Sequence, residues 1–570
     1  MTNLKYRLSF PNPLTHFIEI SLEVDNITTD ETELILPDWR PGRYELANYI
    51  SNLKKIKAYG KSGKDLPLYK KEKNKWLVNT KGENSMRVEY SYYANKMDAG
   101  SSVLNEGQVY INFINCMLYL PNRMQEELTM EIDIPSTYRT ACSLLRTHNT
   151  WTAKSYFELV DSPLLASEGL KQLTYTISST VFNVFILGDC PIEDDTIIRE
   201  FEKFSNSQIK QMGGFPSEQF DFIVQSLPYR HYHGVEHRNS TVLVLGPGIE
   251  DNKQQYFLDL MGVASHELFH AWNVTRIRPI ELSPYDLSKE NYYETGFVTE
   301  GFTTYYGDLF LARSSVFDHQ QYIKELNTLL KRHFENYGRH NLSLTESSFD
   351  LWIDGYKKLL PSRKVSIYVK GAIAAFMLDI MIRKNSQNSK SLDDLIQDLW
   401  VDFGQIEKGY TKSDIYDLIN KYGGDGAQHF IDKFYEGIVP IEDDLSQMVE
   451  YLGFKLVKKD HPEPSAALYG FRVELTNGQA LITEIAPGSM AETYFSVGDK
   501  IVEINGKKIG EKGMEINEGE NTFLLDREYK KKTITLNTGN TKYYNIYEII
   551  KDTEASTTNS ENFKLWIGQY

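Results

Sequence analysis

The H-E-x-x-H motif at residues 266–270 restricts what this chain can fold into more than any other stretch of its sequence. It lies within residues 256–274, where apolar side chains recur at helical spacing. Residues four positions apart share one face of a helix, so the imidazoles of His266 and His270 converge on one point. Neutral imidazoles are good zinc ligands, and Glu267 can act as a general base beside the ion. The alternative interpretation is a pair of ordinary helix histidines.

A third ligand is expected, because catalytic zinc sites combine three protein ligands with one open position. Glu300 supplies a carboxylate in the next predicted helix, residues 297–313. It precedes Gly301 within an apolar and aromatic stretch, which is unusual for a surface helix. We therefore predict that His266, His270 and Glu300 hold one zinc ion per chain. A surface carboxylate at position 300 is the alternative.

Length and charge limit the remaining possibilities. At 570 residues the chain is too long for one hydrophobic core, so several domains are expected. Its net charge of −16 argues against a nucleic-acid partner. The first residues contain no basic segment followed by an apolar core, and no long apolar run follows, so neither a signal peptide nor a membrane partner is predicted. We expect a cytoplasmic protein, or a periplasmic or secreted one if a leader has been removed.

The hydrophobic pattern divides the chain into regions. Residues 1–170 alternate apolar and polar positions between turns rich in Asn, Gly, Asp and Pro, which predicts an all-β domain. Strands then give way to helical patterns, and a β-rich block follows between about 450 and 550. The polar residues after it are typical of a linker or a disordered stretch, and the final stretch FKLWIGQY is apolar enough to dock on the rest of the protein. The fold class predicted is multidomain α+β.

The segment LPDWRPGRYELANY, residues 36–49, is unusual within the N-terminal region. Two prolines and a glycine bracket Trp39, Arg40, Arg43 and Tyr44. The pattern indicates either a rigid turn or a loop that reaches toward a neighbouring active site.

Several phrases resemble a known group of enzymes. HELFHAWN followed by VTEGFTTYY is similar to the zinc aminopeptidase clan, and LPDWRPGRY and HAWNVTRIRP resemble stretches of the glycyl aminopeptidase family. The resemblance runs through essentially the whole chain. It implies an N-terminal β domain (1–170), a thermolysin-like zinc catalytic domain (171–345), an α-helical domain (346–447), a PDZ domain (448–550) and a linker with a C-terminal tail (551–570).

The resemblance also implies a site for the substrate's amino group. The stretch HGVEHRNS precedes the zinc helix where the clan carries G-x-M-E-N, whose Glu binds the free α-amino group. Glu236 takes that role here, and the backbone at Gly234 and Val235 is expected to contact the substrate. Val and His replace the clan's Met and Asn, so only the Gly and the Glu carry over. A fixed carboxylate there would pair with an ammonium group.

Tyr368 is the predicted oxyanion donor. The sequence Y-V-K-G at residues 368–371 resembles the clan's Y-E-K-G, in which the Tyr hydroxyl binds the oxyanion of the tetrahedral intermediate. A core aromatic is the alternative. The clan also carries an acid four residues after the Glu ligand, but Thr304 stands at that position here. Which group orients His266 is therefore open.

Residues 482–509 match the PDZ pattern, and Leu468, Tyr469, Gly470 and Phe471 resemble its carboxylate-binding loop. PDZ domains bind peptide C-termini by adding a strand and capping the carboxylate with backbone N–H groups. The domain is predicted either to bind a peptide C-terminus in this way or only to pack against the catalytic unit.

Together these features predict a zinc metallo-aminopeptidase that removes N-terminal residues from peptides with a free N-terminus. Glu267 and Tyr368 are its predicted catalytic residues. The resemblance implies a preference for glycine or alanine as the residue removed. Two alternatives stay open: a zinc endopeptidase, and a catalytically inactive scaffold whose PDZ domain recruits partners.

Overall fold

The structure, a computed structural model, describes residues 2–357, 360–476, 478–510 and 514–568. Within these residues, the N-terminal region consists of strands with one short α-helix and four 3₁₀ turns, so it is mainly β structure, as the alternating pattern predicts. In β2, for example, the apolar positions Ile18, Ile20, Leu22 and Val24 are buried and the intervening positions are more exposed. The elements are β1 Leu4–Ser9, β2 Phe17–Asp25, β3 Glu31–Ile35, β4 Leu53–Gly60, β5 Asp65–Leu66, β6 Leu68–Glu72, β7 Lys75–Asn79, β8 Ser85–Tyr93, β9 Val103–Leu104, β10 Val109–Ile111, β11 Leu128–Ile132, β12 Arg139–Ala141, β13 Leu145–Thr147, β14 Thr150–Ala153, α1 Tyr156–Val160 and β15 Leu164–Ser167.

These strands form an eight-stranded sheet in the order β13-β14-β11-β1-β2-β8-β4-β5, a four-stranded sheet and a three-stranded sheet. One apolar core fills the space between them.

An α+β region follows. Its strands are β16 Lys171–Ile177, β17 Thr180–Leu187, β18 Gln219–Ser226, β19 His231–Glu236 and β20 Ser240–Gly246. They form one mixed sheet in the order β16-β17-β18-β20-β19, which leaves β19 at an edge. Its helices are α2 Asp194–Met212, α3 Lys253–Phe269, α4 Thr303–Arg313 and α5 His319–Phe334, and a π-helical turn, Phe297–Phe302, leads directly into α4.

Helix α3 is shorter than the sequence predicts. The apolar pattern predicts a helix to residue 274, but α3 ends at Phe269 and His270 caps it. The backbone then turns, so that the Asn273 carbonyl lies 2.6 Å from His270 Nδ1. Apolar residues continue beyond the helix because the turn itself is buried.

The next region is helical. Its helices are α6 Leu344–Phe349, α7 Leu351–Asp354, α8 Val369–Asn385, α9 Leu392–Leu399, α10 Lys412–Gly423, α11 Ala427–Phe430 and α12 Glu442–Tyr451. They share one apolar core with the α+β region. The domain boundary predicted at residue 345 crosses this shared core and stays a prediction.

The second β-rich block contains a small sheet with a core of its own. Its strands are β22 Phe471–Thr476, β23 Gln479–Ile485, β24 Lys500–Ile504, β25 Lys507–Lys508, β26 Glu520–Arg527 and β27 Lys530–Asn537, with the short helix α13 Met490–Tyr494. Two flanking strands, β21 Phe454–Lys459 and β28 Ile546–Lys551, pair with each other outside this sheet. Side chains of both belong to the large core instead.

The segment predicted to be a linker and tail, residues 551–570, contains a helix. Helix α14 spans Thr557–Trp566, and Ser556 and Asn559 form a capping box at its start. Trp566 and Ile567 are fully buried in the large core. The linker prediction was therefore wrong for residues 557–562, whose polar composition hides the start of the helix, whereas the apolar stretch after them docks as predicted. Residues 569–570 lie outside the described residues.

Among the described residues, no helix has both the length and the apolar character needed to cross a bilayer.

Candidate active site

Helices α3 and α4 pack closely where the two histidines lie. A Cβ atom at Gly307 would come within 3.1 Å of His266 Cα, so the absence of a side chain permits the contact. Ser265 Oγ donates a hydrogen bond to the Gly307 carbonyl at 2.7 Å. This close packing brings the H-E-x-x-H face of α3 against the helix that follows Glu300.

His266, His270 and Glu300 lie close together in the structure. Their potential ligand atoms all lie within 4.8 Å of one another. The two Nε2 atoms are 3.1 Å apart, and Glu300 Oε2 lies 3.5 Å from His270 Nε2 and 4.0 Å from His266 Nε2. Tetrahedral zinc ligands at about 2.0–2.2 Å from the metal lie about 3.3–3.6 Å apart. The three atoms therefore fit a zinc ion. Glu300 is only 2% exposed, which excludes a surface carboxylate.

The loop after α3 orients His270 and joins it to the Glu300 turn. His270 Nδ1 lies 2.6 Å from the Asn273 carbonyl, an acceptor, so Nδ1 carries the proton and Nε2 presents its lone pair. The Asn273 side chain donates to the Val298 carbonyl at 2.8 Å and to Thr303 Oγ1 at 3.0 Å. Sequence reasoning missed this role of Asn273, although the residue ends the stretch HELFHAWN.

Glu300 lies in the π-helical turn 297–302, where a wider turn changes the direction of a side chain. Next to it, a Cβ atom at Gly301 would lie 2.6 Å from Gly371 Cα. The two glycines thus let the Glu300 turn and the first turn of α8 touch through their backbones. Tyr368 immediately precedes α8, so this contact fixes Glu300 and Tyr368 relative to each other.

The predicted base, Glu267, is buried against strand β19. A Cβ atom at Gly234 would lie 2.2 Å from Glu267 Oε1, so the glycine makes room for the carboxylate. Burial raises the pKa of Glu267 to about 8, although His270 opposes the shift. Glu267 Oε2 has no hydrogen-bond partner within the described part of the chain. Val235, the other predicted backbone contact, is buried in the same strand.

Glu236 ends strand β19 and is also buried. Burial raises its pKa, His270 lowers it, and Glu300 raises it further. Its Oε1 atom lacks a hydrogen-bond partner among the residues that the structure describes. Glu236, Glu267 and His270 form a second set of possible metal-binding atoms within 4.8 Å. Three buried carboxylates around two imidazoles make a site that favours cations, whether a metal ion or an ammonium group.

The loop predicted from residues 36–49 reaches this site. Gly42 has a φ of +76°, and a Cβ atom there would lie 2.3 Å from Glu236 Oε2. Arg40, from the same turn, places its Nη2 atom 3.4 Å from His233 Nε2 on β19. The N-terminal region therefore covers the end of the cleft at Glu236.

Aromatic contacts hold that loop in place. Trp39 is fully buried, donates to the Asp286 carbonyl at 2.8 Å and stacks edge-on against Trp352 at 5.0 Å. Tyr44 packs against Tyr293 at 5.2 Å between ring centroids. The loop is thus anchored on both sides of Gly42.

Tyr368 lies at the start of α8 with a second tyrosine beside it. The Tyr368 and Tyr356 hydroxyl oxygens are 3.3 Å apart, and the Arg43 guanidinium lies 5.0 Å from the centre of the Tyr356 ring. Sequence reasoning did not single out Tyr356, since no motif marks it among 37 tyrosines. The only feature of the sequence that points to Tyr356 is its position a short distance before the Y-V-K-G stretch at residues 368–371.

The predicted PDZ carboxylate loop adopts a tight turn. Leu468 and Tyr469 are buried at the end of a π-helical turn, Gly470 follows with a φ of +81°, and Phe471 starts β22 in the small core. The Gly470 N–H already donates to the carbonyls of Ser465 and Ala466, each at 3.1 Å. This N–H therefore has acceptors within its own turn.

The fold of this chain is similar to that of a solved structure. An aminopeptidase N family protein from Idiomarina loihiensis is similar with a TM-score of 0.89 at 24% identity, over 99% of this chain and 100% of that one. An M1 zinc metallopeptidase from Deinococcus radiodurans has a TM-score of 0.47 at 15% identity, over 77% of this chain and 94% of that one. The first similarity shows a shared fold along the whole chain. A comparison with curated proteins gave no match.

Family comparisons match three parts of the sequence. Residues 5–168 match the Peptidase M61 N-terminal domain, residues 259–374 match the M61 glycyl aminopeptidase domain, and residues 445–513 match the PDZ domain. The matches follow the order that the sequence predicts, and the second contains the H-E-x-x-H motif, Glu300 and Tyr368. The chain therefore matches the M61 glycyl aminopeptidase family over its N-terminal region and over the region of the H-E-x-x-H motif, and it is a peptidase with a PDZ domain.

Proposed function

We propose that this protein is a zinc aminopeptidase that binds one zinc ion per chain through His266, His270 and Glu300. The observation that carries the proposal is the convergence of these three ligand atoms at separations of 3.1–4.0 Å. When bound, zinc supplies a Lewis acid that polarises the scissile carbonyl and acidifies water.

The remaining steps belong to side chains of this protein. Glu267 takes a proton from the attacking water and gives it to the leaving amine. Its burial and raised pKa suit a group that must both accept and release a proton near neutral pH. Tyr368 donates its hydroxyl hydrogen to the carbonyl oxygen as negative charge develops there.

Glu236 is the proposed site for the substrate's α-ammonium group. Its buried Oε1 atom offers an unused acceptor for a charge-assisted hydrogen bond. The turn at Gly42 lies directly against its carboxylate, which leaves little room for residues that would precede the ammonium group. This contact favours an aminopeptidase over an endopeptidase. The family name supports a preference for glycine, and we extend the proposal to alanine.

The test is a panel of amino-acid amides and peptides, each free or N-acetylated, assayed with zinc, with a chelator and with two variants. We expect cleavage only of free N-termini, loss of activity with chelator, and recovery with zinc. Glu267→Gln should lower kcat by about 10²- to 10⁴-fold, because the proton acceptor is lost. Glu236→Ala should lower kcat/KM on free peptides about 10- to 100-fold.

Glu106→Ala, at an exposed position of the N-terminal region, is the matched control and should act like the wild type. Equal cleavage of acetylated peptides, with full turnover by Glu236→Ala, would indicate the endopeptidase. Full activity in chelator or in Glu267→Gln would refute the zinc mechanism. No hydrolysis of any substrate by the zinc-loaded protein would favour the inactive scaffold.

For the PDZ domain, we propose packing against the catalytic unit rather than capture of a peptide C-terminus. Arg472 of β22 forms an ion pair with Glu335 of the catalytic unit at 3.2 Å, and the Tyr337 hydroxyl accepts from the Tyr544 N–H at 3.2 Å. The occupied N–H of Gly470 also argues against carboxylate capture. Saturable binding of a random C-terminal peptide library, abolished by amidating the C-terminus, would contradict this proposal.

A further inference from the structure

The side chain of Trp566 is enclosed between helices α5 and α8, and Tyr368 immediately precedes α8. Trp566 is fully buried, and its ring contacts Tyr322 at 5.4 Å and Phe376 at 5.3 Å between centroids. Phe376 lies on α8 and Tyr322 on α5. Nothing in the proposed chemistry uses this tryptophan, although the segment that carries it returns to the core after the whole PDZ domain.

Trp566 makes its polar contacts with the helix that follows Glu300. Its Nε1 donates to the Tyr305 hydroxyl at 2.8 Å. Its backbone carbonyl accepts from Arg313 Nη2 at 3.2 Å and from Arg313 Nε at 3.3 Å. Tyr305 and Arg313 lie near the two ends of α4, so Trp566 ties down the full length of that helix.

The Tyr305 hydroxyl continues the chain of hydrogen bonds to α8. It donates to Asp379 Oδ2 at 2.6 Å, and Asp379 Oδ1 accepts from Arg383 Nε at 3.1 Å. All these groups are buried, where hydrogen bonds strengthen one another and a missing partner is costly. The chain Trp566–Tyr305–Asp379 therefore links α14, the helix after Glu300 and the helix after Tyr368.

We propose that Trp566 is a positioning residue for the metal centre. It holds α4 so that the π-helical turn before it presents Glu300 to His266 and His270. The inference rests on the proposed zinc site. If α4 can shift when this contact is lost, only a fraction of molecules has the three ligands together, and the apparent zinc affinity falls by that fraction.

The test compares Trp566→Phe with Trp151→Phe in the full-length protein. Trp566→Phe removes the Nε1 donor and keeps an aromatic ring. Trp151 is a buried tryptophan of the N-terminal sheet, so it controls for the loss of any buried indole. Zinc affinity is measured by competition with a zinc-binding dye, the Tm is measured without zinc, and kcat and KM are measured separately.

We expect Trp566→Phe to weaken zinc binding about 2- to 10-fold, the net contribution of one hydrogen bond. At limiting zinc its kcat should fall with KM unchanged, and excess zinc should restore it. Trp151→Phe should lower the Tm without changing zinc affinity. Tyr305→Phe removes the acceptor from the other side and should reproduce the zinc effect, also if Trp566→Phe fails to fold.

A lower Tm with unchanged zinc affinity in both Trp566→Phe and Tyr305→Phe would overturn the positioning role. Failure of the wild-type protein to bind zinc would instead overturn the proposed function. The two failures are therefore distinguishable.

Discussion

Gly42 contributes to the site through the side chain that it lacks. It lies in the N-terminal region, 194 positions before Glu236, yet its backbone touches that carboxylate. A left-handed conformation at φ +76° forms the turn that brings the chain so close. A Cβ atom added at position 42 should therefore displace the Glu236 carboxylate.

Gly42→Ala tests this contact. The added Cβ would lie 2.3 Å from Glu236 Oε2, so the carboxylate must move. We expect kcat/KM on peptides with a free N-terminus to fall about 10- to 100-fold, as a charge-assisted hydrogen bond is misaligned. Gly63→Ala is the matched control, because Gly63 has a φ of +80° and open space around its Cβ position. Equal losses in the two variants would mean that backbone strain alone is responsible.

The tyrosine pair should divide into a catalytic residue and a supporting one. Tyr368→Phe should lower kcat by about 10²- to 10³-fold with little change in KM, the effect of losing one oxyanion donor. Tyr356→Phe should have a smaller effect, because it removes only a 3.3 Å contact to the Tyr368 hydroxyl. Steady-state kinetics on one amide substrate checks both. A larger loss in Tyr356→Phe would reverse the two roles.

At the scale of elements, the convergence of His266 and His270 could be predicted because helix geometry is local and repeats every 3.6 residues. Glu300 could be proposed only because a catalytic zinc ion needs a third ligand. The π-helical turn at Glu300 could not be predicted, because it depends on the backbone contact between Gly301 and Gly371. The same limit applies to Gly42 beside Glu236 and to Trp566 beside Tyr305. Contacts between residues far apart in the chain leave no periodic signal in the sequence.

Two glycine substitutions should have opposite effects on stability. Gly301→Ala would place a Cβ 2.6 Å from Gly371 Cα, and overpacking of this kind typically costs about 1–3 kcal/mol. Gly262→Ala, in α3, would meet nothing nearer than the Tyr232 hydroxyl at 3.8 Å, and better helix propensity should stabilise by about 0.5–1 kcal/mol. Thermal unfolding should show a lower Tm for the first and a higher Tm for the second. A raised Tm for Gly301→Ala would disprove the close contact.

At the scale of the whole molecule, the small sheet is an insertion. Strands β21 and β28 flank it, pair with each other and pack into the large core, so the chain leaves the catalytic body and returns to it at neighbouring points. The Asn327 side chain on α5 forms two hydrogen bonds with the backbone of Ile549 on β28. The Ile549 N–H donates to Asn327 Oδ1 at 2.7 Å, and Asn327 Nδ2 donates to the Ile549 carbonyl at 3.0 Å. The sequence predicted the PDZ domain but not the pair of strands that anchors it to the large core.

An ion pair at this junction should make its stability depend on pH. Burial raises the pKa of Glu335, but His461 and Arg472 outweigh it, so the pKa falls below its ordinary value of 4.5. A lowered pKa stabilises the folded state above pH 4.5, and this contribution is lost as the pH falls through the folded pKa. Glu335→Gln should cost up to about 1 kcal/mol near pH 7, because Arg472 is partly exposed.

Urea unfolding of wild type and Glu335→Gln across this pH range gives the difference directly. It should shrink as the pH drops below 4.5. A difference that is constant with pH would assign the effect to packing.

The hydrogen bond between Trp566 and Tyr305 joins residues 261 positions apart. Contacts of such separation form only after the entropy of closing a long loop has been overcome. During synthesis on the ribosome, the Tyr305 hydroxyl lacks its hydrogen-bond donor, Trp566 Nε1, until the PDZ domain and α14 have been made. The order of synthesis therefore leaves the packing of α4 beside the cleft incomplete until α14 has been made.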